Sequence, residues 1–311
     1  MLKKIRVGLS LVIFSLITIY FLDFANLAPR QLHELTKLQL IPALLALNLV
    51  ALLIIIGITL LFGRIYCSSL CPMGIFQDIV SWVDRRFHRK KKYRALKERP
   101  LLRWSIVAIT ILAFFGGASA VVSILDPYSA YGRMATNLFK PLYLEGNNLI
   151  AWIDNYLKHY RFYKVDVFFT SIAAVTLASV TFLIIGFLAY KWGRVYCNTI
   201  CPVGTVLGFV SKFSLFKIRI DASKCNSCSL CSLKCKSSCI DSAGQKIDYS
   251  RCVDCFNCLQ VCNRKAMKYR LAFIPENSSP VNVSEGEYKA TRRRFFGFLL
   301  AGIAGAQRLL A

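Results

Sequence analysis

The sequence predicts an all-α transmembrane bundle of four spans in two parallel repeats. A small cysteine-rich α+β domain and a short fifth apolar helix at the C-terminus follow it. Three observations carry that expectation: four long uncharged apolar stretches, a twelve-residue motif that occurs twice, and nine cysteines within residues 225–262, eight of them at metal-ligand spacing.

The 311 residues are 56% hydrophobic, more apolar surface than a water-soluble domain of this length hides. Stretches 7–22, 38–63, 104–125 and 167–190 contain no charged residue, against the roughly 20 residues that cross a bilayer as helix. Lys3, Lys4 and Arg6 before the first stretch resemble a signal-peptide n-region, but Ala25-Asn26-Leu27-Ala28-Pro29 is a poor cleavage site, so an uncleaved anchor is expected. With a cytoplasmic N-terminus, segments 1–6, 64–103 and 191–294 lie inside and hold 32 of the 40 Lys and Arg, while 23–37 and 126–166 lie outside and hold 7. That asymmetry places the N-terminus and the cysteine-rich domain on the cytoplasmic side of a bacterial inner membrane, as parts of a multi-pass protein. The net charge of +24 then follows from topology and calls for no nucleic acid, because the basic residues fall between apolar spans. Lipid is the first partner, with the run Arg85–Arg103 facing anionic headgroups.

These boundaries divide the chain into a first repeat at 1–84, a basic loop at 85–103, a second repeat at 104–217, a cysteine-rich domain at 218–272, a linker at 273–290 and an apolar segment at 291–311.

Cys225-x2-Cys228-x2-Cys231-x3-Cys235 is followed by Cys252-x2-Cys255-x2-Cys258-x3-Cys262, the bacterial two-cluster ferredoxin spacing twice over. In that pattern three close thiolates hold one [4Fe–4S] cluster and the fourth cysteine of each run reaches the other. Cluster one takes Cys225, Cys228, Cys231 and Cys262; cluster two takes Cys252, Cys255, Cys258 and Cys235. Cys-x2-Cys also suits zinc, but four cysteines per run argue for iron–sulfur. The proline that usually follows the fourth cysteine is replaced by Lys236 and Asn263, which leaves ligation intact and changes cluster shielding. Cys239 reads as a small buried residue beside a cluster, with a redox thiol as the sharper alternative.

Residues 63–74, GRIYCSSLCPMG, recur as 193–204, GRVYCNTICPVG. Each copy follows an apolar span, so the repeat predicts a pseudo-two-fold axis along the membrane normal. Proline after the second cysteine suits the first turn of a helix, where N–H groups stabilise thiolate at Cys71 and Cys201. Symmetry brings Cys67, Cys71, Cys197 and Cys201 together at the cytoplasmic membrane boundary. Three readings of these thiols stand open: a third metal or iron–sulfur centre, a pair of redox dithiols, or a structural helix junction.

Four spans, two Cys-x3-Cys-Pro motifs and the cysteine-rich domain together resemble the membrane polyferredoxin family over residues 1–270. Its members include the NapH-type subunit of nitrate reduction, the polyferredoxin half of a nitrous oxide reductase maturation protein, and a copper reductase of oxidase assembly. The resemblance implies an electron-transfer subunit between quinol or a cytoplasmic donor and a partner redox protein, periplasmic partners included. The alternatives are a copper reductase acting at the four repeat cysteines and a redox-sensing maturation factor. No Cys-x-x-Cys-His, Rossmann or P-loop fingerprint occurs, and His33, His88 and His159 lie outside the apolar stretches, so clusters and quinone complete the expected cofactors.

Tyr128, Tyr131, Tyr143, Trp152, Tyr156 and Tyr160 read as an interfacial aromatic belt over the outer leaflet. Tyr131, Arg133 and Trp152 are the alternative quinone contacts. At the other end, Thr291-Arg292-Arg293-Arg294-Phe295-Phe296 resembles a twin-arginine export signal, and 295–307 is a short apolar stretch. It predicts an outward helix and a chain that continues past Ala311 or descends from one that did, against the alternative of a membrane-surface anchor.

Overall fold

The computed structural model describes residues 1–23, 39–46, 48–88, 93, 98–158, 161–167 and 171–272. The expectations for 273–311, like those for His33, His159 and Tyr160, lie outside them.

Two helices are long and apolar enough to cross a membrane, α1 (Leu2–Leu22) and α10 (Ile172–Trp192). The other two predicted spans are broken. In the first, α2 (Leu40–Leu45) and α3 (Leu49–Phe62) meet at Asn48, whose side chain accepts from the Ala51 N–H and caps α3. In the second, α6 (Pro100–Phe115) ends at Gly116-Gly117. Gly117 takes φ +73°, and the Ala118 N–H reaches back to the Ala113 carbonyl, a glycine stop that turns the chain into α7 (Ser119–Leu125). Asp126 then caps α8 (Pro127–Met134), accepting from the N–H groups of Tyr128 and Ser129. A π-helical turn at Ala135–Phe139 leads into α9 (Lys140–Tyr156).

The outer face of this bundle is apolar. Leu9, Val12, Ile19, Leu53, Ile54, Ile109, Leu112, Leu183, Ile184 and Phe187 are all exposed, which water disfavours and hydrocarbon does not.

After each repeated motif the chain makes a helical hairpin: α4 (Ile65–Ser69) then α5 (Pro72–Phe87), and α11 (Val195–Thr199) then α12 (Pro202–Ser211). The cysteine-rich domain is α+β. Strand β1 (Phe216–Ile220) pairs antiparallel with β4 (Met267–Leu271), Ile218 opposite Tyr269, and β2 (Ile240–Asp241) pairs with β3 (Lys246–Ile247). Short helices α13 (Leu230–Leu233) and α14 (Asn257–Val261) carry the middle of each cysteine run. The two runs share one backbone course at an offset of 27 residues. Left-handed φ recurs at Ser227 and Asp254, at Ser229 and Phe256, and at Ser238 and Lys265.

The outer aromatic segment departs from expectation. Tyr131 is fully buried, its ring 5.3 Å from Phe14 and its hydroxyl 2.6 Å from Thr18 Oγ1. Helix α8 therefore packs inside the bundle, while Trp152 and Tyr156 of α9 stay exposed. The aromatic content was legible, but its burial depends on contacts with α1.

Candidate functional site

Each predicted ligand set of the cysteine-rich domain lines its own concavity. Cys225, Cys228, Cys231 and Cys262 surround one, with Asn226, Arg264 and Met267 at its rim. Cys235, Cys252, Cys255 and Cys258 surround the other, floored by Ile218, Ile240 and Val253. The two sites differ in access: Cys228 is exposed and Cys225, Cys231 and Cys262 half-buried, whereas all four of the second set are buried. Sulfur donors in fours, backed by apolar side chains, fit a [4Fe–4S] cluster in each. Among the described residues no three Cys, His, Asp or Glu side chains converge as they would on a single ion.

The second set faces the bundle. Asp254, between Cys252 and Cys255, lies against Gly63, where a Cβ would stand 2.4 Å from its carboxylate. Lys236, after Cys235, lies against Gly193, where a Cβ would meet its carbonyl at 2.6 Å; that carbonyl accepts from the Arg194 N–H at 2.9 Å. Both glycines also take positive φ, +79° and +74°, so the glycine that opens each motif is demanded twice over. Burial pushes the Asp254 carboxyl up to about 7, against the pull of Arg64.

Cys67, Cys71, Cys197 and Cys201 are all buried and belong to one packed core, with Tyr66, Tyr196, Met73 and Met134 around them. The chain makes this core by folding each motif back into the bundle. Pro72 and Pro202 open their helices and Cys71 and Cys201 are the N-caps; the Gly204 N–H donates to Cys201 Sγ at 3.3 Å. Gly74 and Gly204 let each hairpin close, since a Cβ there would lie 2.1 Å from the carbonyl oxygen of Cys67 or Cys197.

Helix α5 runs in the same direction as α10, with the Phe76 ring 5.4 Å from Phe182 and Ser81 Oγ 3.3 Å from the Ala189 carbonyl. At ~1.5 Å per residue its N-terminus lies roughly 15–20 Å up the bundle from the level of Trp192. The four cysteines are enclosed by the bundle next to the cysteine-rich domain, where Asn198, the neighbour of Cys197, donates to the Ser237 carbonyl at 3.3 Å.

Sequence reasoning passed over the arginine of each motif. Arg64 and Arg194 are both fully buried, and each crosses to the other repeat. Arg194 Nη1 donates to the Cys67 carbonyl at 2.6 Å, and Arg64 Nη2 donates to the Cys197 carbonyl at 3.1 Å while lying 4.0 Å from Cys67 Sγ. Their identity in both motif copies was the available signal.

Beyond that exchange the symmetry breaks. Asp78 receives Arg194 Nε at 2.9 Å, Lys236 Nζ at 2.9 Å and Arg6 Nη1 at 3.1 Å. Three cations on one carboxylate offset the cost of burying it. The residue 130 positions on from Asp78 is Gly208, and Arg64 instead donates to Asn198 Oδ1 at 2.7 Å and the Ser250 carbonyl at 2.9 Å. Among the described residues it has no carboxylate in ion-pair contact. Gln77 Nε2 donates to Cys197 Sγ at 3.2 Å, and its repeat mate Leu207 cannot donate at all.

The sulfurs therefore face donors and buried positive charge. Arg6, Arg64, Arg194 and Lys236 are 0–6% exposed, and Asp78 alone pairs with three of them. Asp254 also lies buried beside Arg64.

Tyr131, Arg133 and Trp152 do not converge. Arg133 Nη1 is held by the Ser123 carbonyl and hydroxyl, both at 2.9 Å, and Trp152 is exposed. A separate cleft beside the cysteine core is lined by Ile41, Phe114, Val122, Ser123, Asp126 and Ser129.

Among known proteins, a 4Fe-4S binding domain family matches residues 44–92 and 172–221. Each match covers one apolar helix and the Cys-x3-Cys-Pro motif that follows. The chain is 26% identical over 225 residues to the putative electron transport protein YccM of Escherichia coli, covering 71% of this chain and 55% of that protein. It is 22% identical over 239 residues to the ferredoxin-type protein NapH of Haemophilus influenzae, covering 73% and 70%. An uncharacterized protein of Methanocaldococcus jannaschii, MJ0749, is 25% identical over 222 residues, covering 69% and 68%. No solved structure matches the chain.

Proposed function

We propose, for a chain that belongs to the polyferredoxin-like family of 4Fe–4S membrane proteins, that its 4Fe–4S electron-transfer role is performed along a line of three centres. Cys225, Cys228, Cys231 and Cys262 would hold the outermost; Cys252, Cys255, Cys258 and Cys235 the next; Cys67, Cys71, Cys197 and Cys201 the third, inside the bundle. When bound, such clusters supply one-electron redox chemistry. The chain holds the sites in sequence: Asp254 and Lys236 seat the second against Gly63 and Gly193, and the motif arginines lie between it and the third. The observation that carries this reading is the enclosure of four buried cysteines in one core beside the buried Arg64 and Arg194. The family matches on the two motif-bearing stretches support it as well.

With the N-terminus and the cysteine-rich domain cytoplasmic in a multi-pass topology, the third site stands on the cytoplasmic side of a hydrocarbon core about 30 Å thick, since Arg64 bonds both the Cys197 carbonyl and the Ser250 carbonyl of that domain. A membrane-embedded reductant or acceptor can then be reached without a single step across the whole bilayer. We assign quinol to the cleft between Ile41, Phe114 and Val122, whose buried Asp126 lies within electrostatic reach of Cys71. An apolar cleft ending in a carboxylate and Ser129 suits a lipid-soluble molecule with a hydroxyl group. The electron partner at the exposed cluster is a soluble redox protein.

A second reading, reduction of copper at the same cysteines, draws on Met73 and Met134, which are fully buried in that core and are soft ligands for Cu(I). Anaerobic titration with a quinol, followed by EPR, separates the two. Reduction of the clusters by quinol, with no change on adding copper, supports the relay; reoxidation by copper alone supports the reductase.

A further inference from the structure

The buried site of the cysteine-rich domain contains five sulfurs, one more than a [4Fe–4S] cluster takes. Cys239 lines the same concavity as Cys235, Cys252, Cys255 and Cys258 and is itself buried. Its Sγ lies 3.5 Å from Cys235 Sγ. It therefore stands beside one of the assigned ligands, within the same site.

The other half of the domain shows what this position ordinarily does. At the 27-residue offset Cys239 corresponds to Ala266, and the backbone around the two is the same. Ser238 and Lys265 take φ +48° and +53°. The Ser238 N–H turns back to the Cys235 carbonyl at 3.4 Å and the Lys265 N–H to the Cys262 carbonyl at 3.1 Å. The Ala266 N–H donates to Cys262 Sγ at 3.3 Å, and Cys239 holds the same place beside Cys235, their sulfurs 3.5 Å apart. One half thus carries a methyl group where the other carries a thiol, and the thiol is in the half that abuts the bundle.

We propose that Cys239 is a second, exchangeable thiolate for the cluster nearest the bundle, able to occupy the corner of Cys235. Two sulfurs 3.5 Å apart on one tight turn exchange by side-chain rotation, with no movement of the strands. Exchange conserves charge: Cys239 gives up its proton on binding iron and Cys235 takes one up on leaving. Iron keeps its oxidation state.

The inference rests on the ligand assignment proposed above, and iron content with the EPR of the reduced protein tests it. Cys235→Ala and Cys239→Ala should each retain the wild-type iron count and the double variant should lose about four irons per chain, whereas Cys262→Ala, with only Ala266 behind it, should lose about four alone. Cys262→Ala combined with Ala266→Cys should recover them, which guards against a variant that merely misfolds. A wild-type count below about eight irons overturns the ligand assignment and this inference together. A full wild-type count, with Cys235→Ala losing as much iron as the double variant and no recovery by Ala266→Cys, overturns this inference alone.

Discussion

Arg194 of the second motif donates to the carbonyl of Cys67 in the first at 2.6 Å, and Arg64 of the first returns the contact to Cys197 at 3.1 Å. The two repeats are therefore tied through the backbone of the residues that carry the sulfurs. Arg194→Ala would leave Asp78 facing Lys236 and Arg6 and would free the Cys67 carbonyl in a dry interior. Breaking a buried charge pair in this way costs about 3–5 kcal/mol. Thermal unfolding in detergent should show the loss, and Arg194→Lys should recover only part of it, because one ammonium cannot reach both acceptors as the guanidinium does.

Gly74→Ala and Gly204→Ala should each open the hairpin that presents the cysteines, since the added methyl carbon meets a backbone oxygen at 2.1 Å. The obstacle is main chain and cannot rotate away, so the cost should reach or exceed the roughly 1–3 kcal/mol of ordinary overpacking. Limited proteolysis of the 63–88 and 193–212 regions should quicken. Gly57→Ala, with open space around its Cβ, should behave as wild type.

The cysteine spacing, the doubled motif and the proline that starts each helix were all legible, because ligand spacing and helix capping are local properties. The packing of α5 along α10 was not. It rests on Phe76 meeting Phe182 and Ser81 meeting Ala189, contacts across more than a hundred residues. The Gly116-Gly117 pair inside the stretch 104–125 was a visible break signal that uniform hydrophobicity overrode. Asn48 played the same part in 38–63. Tyr131 read as a belt residue from composition alone, and its partners Phe14 and Thr18 lie on another helix.

Chelator or ferricyanide should bleach the cysteine-rich domain in two phases of about four irons each. The first belongs to the set containing exposed Cys228, and the second to Cys235, Cys252, Cys255 and Cys258, which are 6–9% exposed. Visible absorbance with iron release gives both rates. Cys228→Ala should abolish the fast phase and leave the slow one unchanged.

Reporter fusions should place the helix termini at Phe87 and Ser211 on one side of the membrane and Tyr156 on the other. A periplasm-dependent reporter should be active after Leu157 and silent after His88. Activity at both positions would contradict the proposed topology.

The central claim is that Cys67, Cys71, Cys197 and Cys201 hold a third cluster, and the iron content of anaerobically purified protein tests it most directly. The proposed line of centres predicts about twelve irons per chain, falling to about eight when Cys67 and Cys197 are both replaced by serine. A count of about eight in both proteins would contradict it.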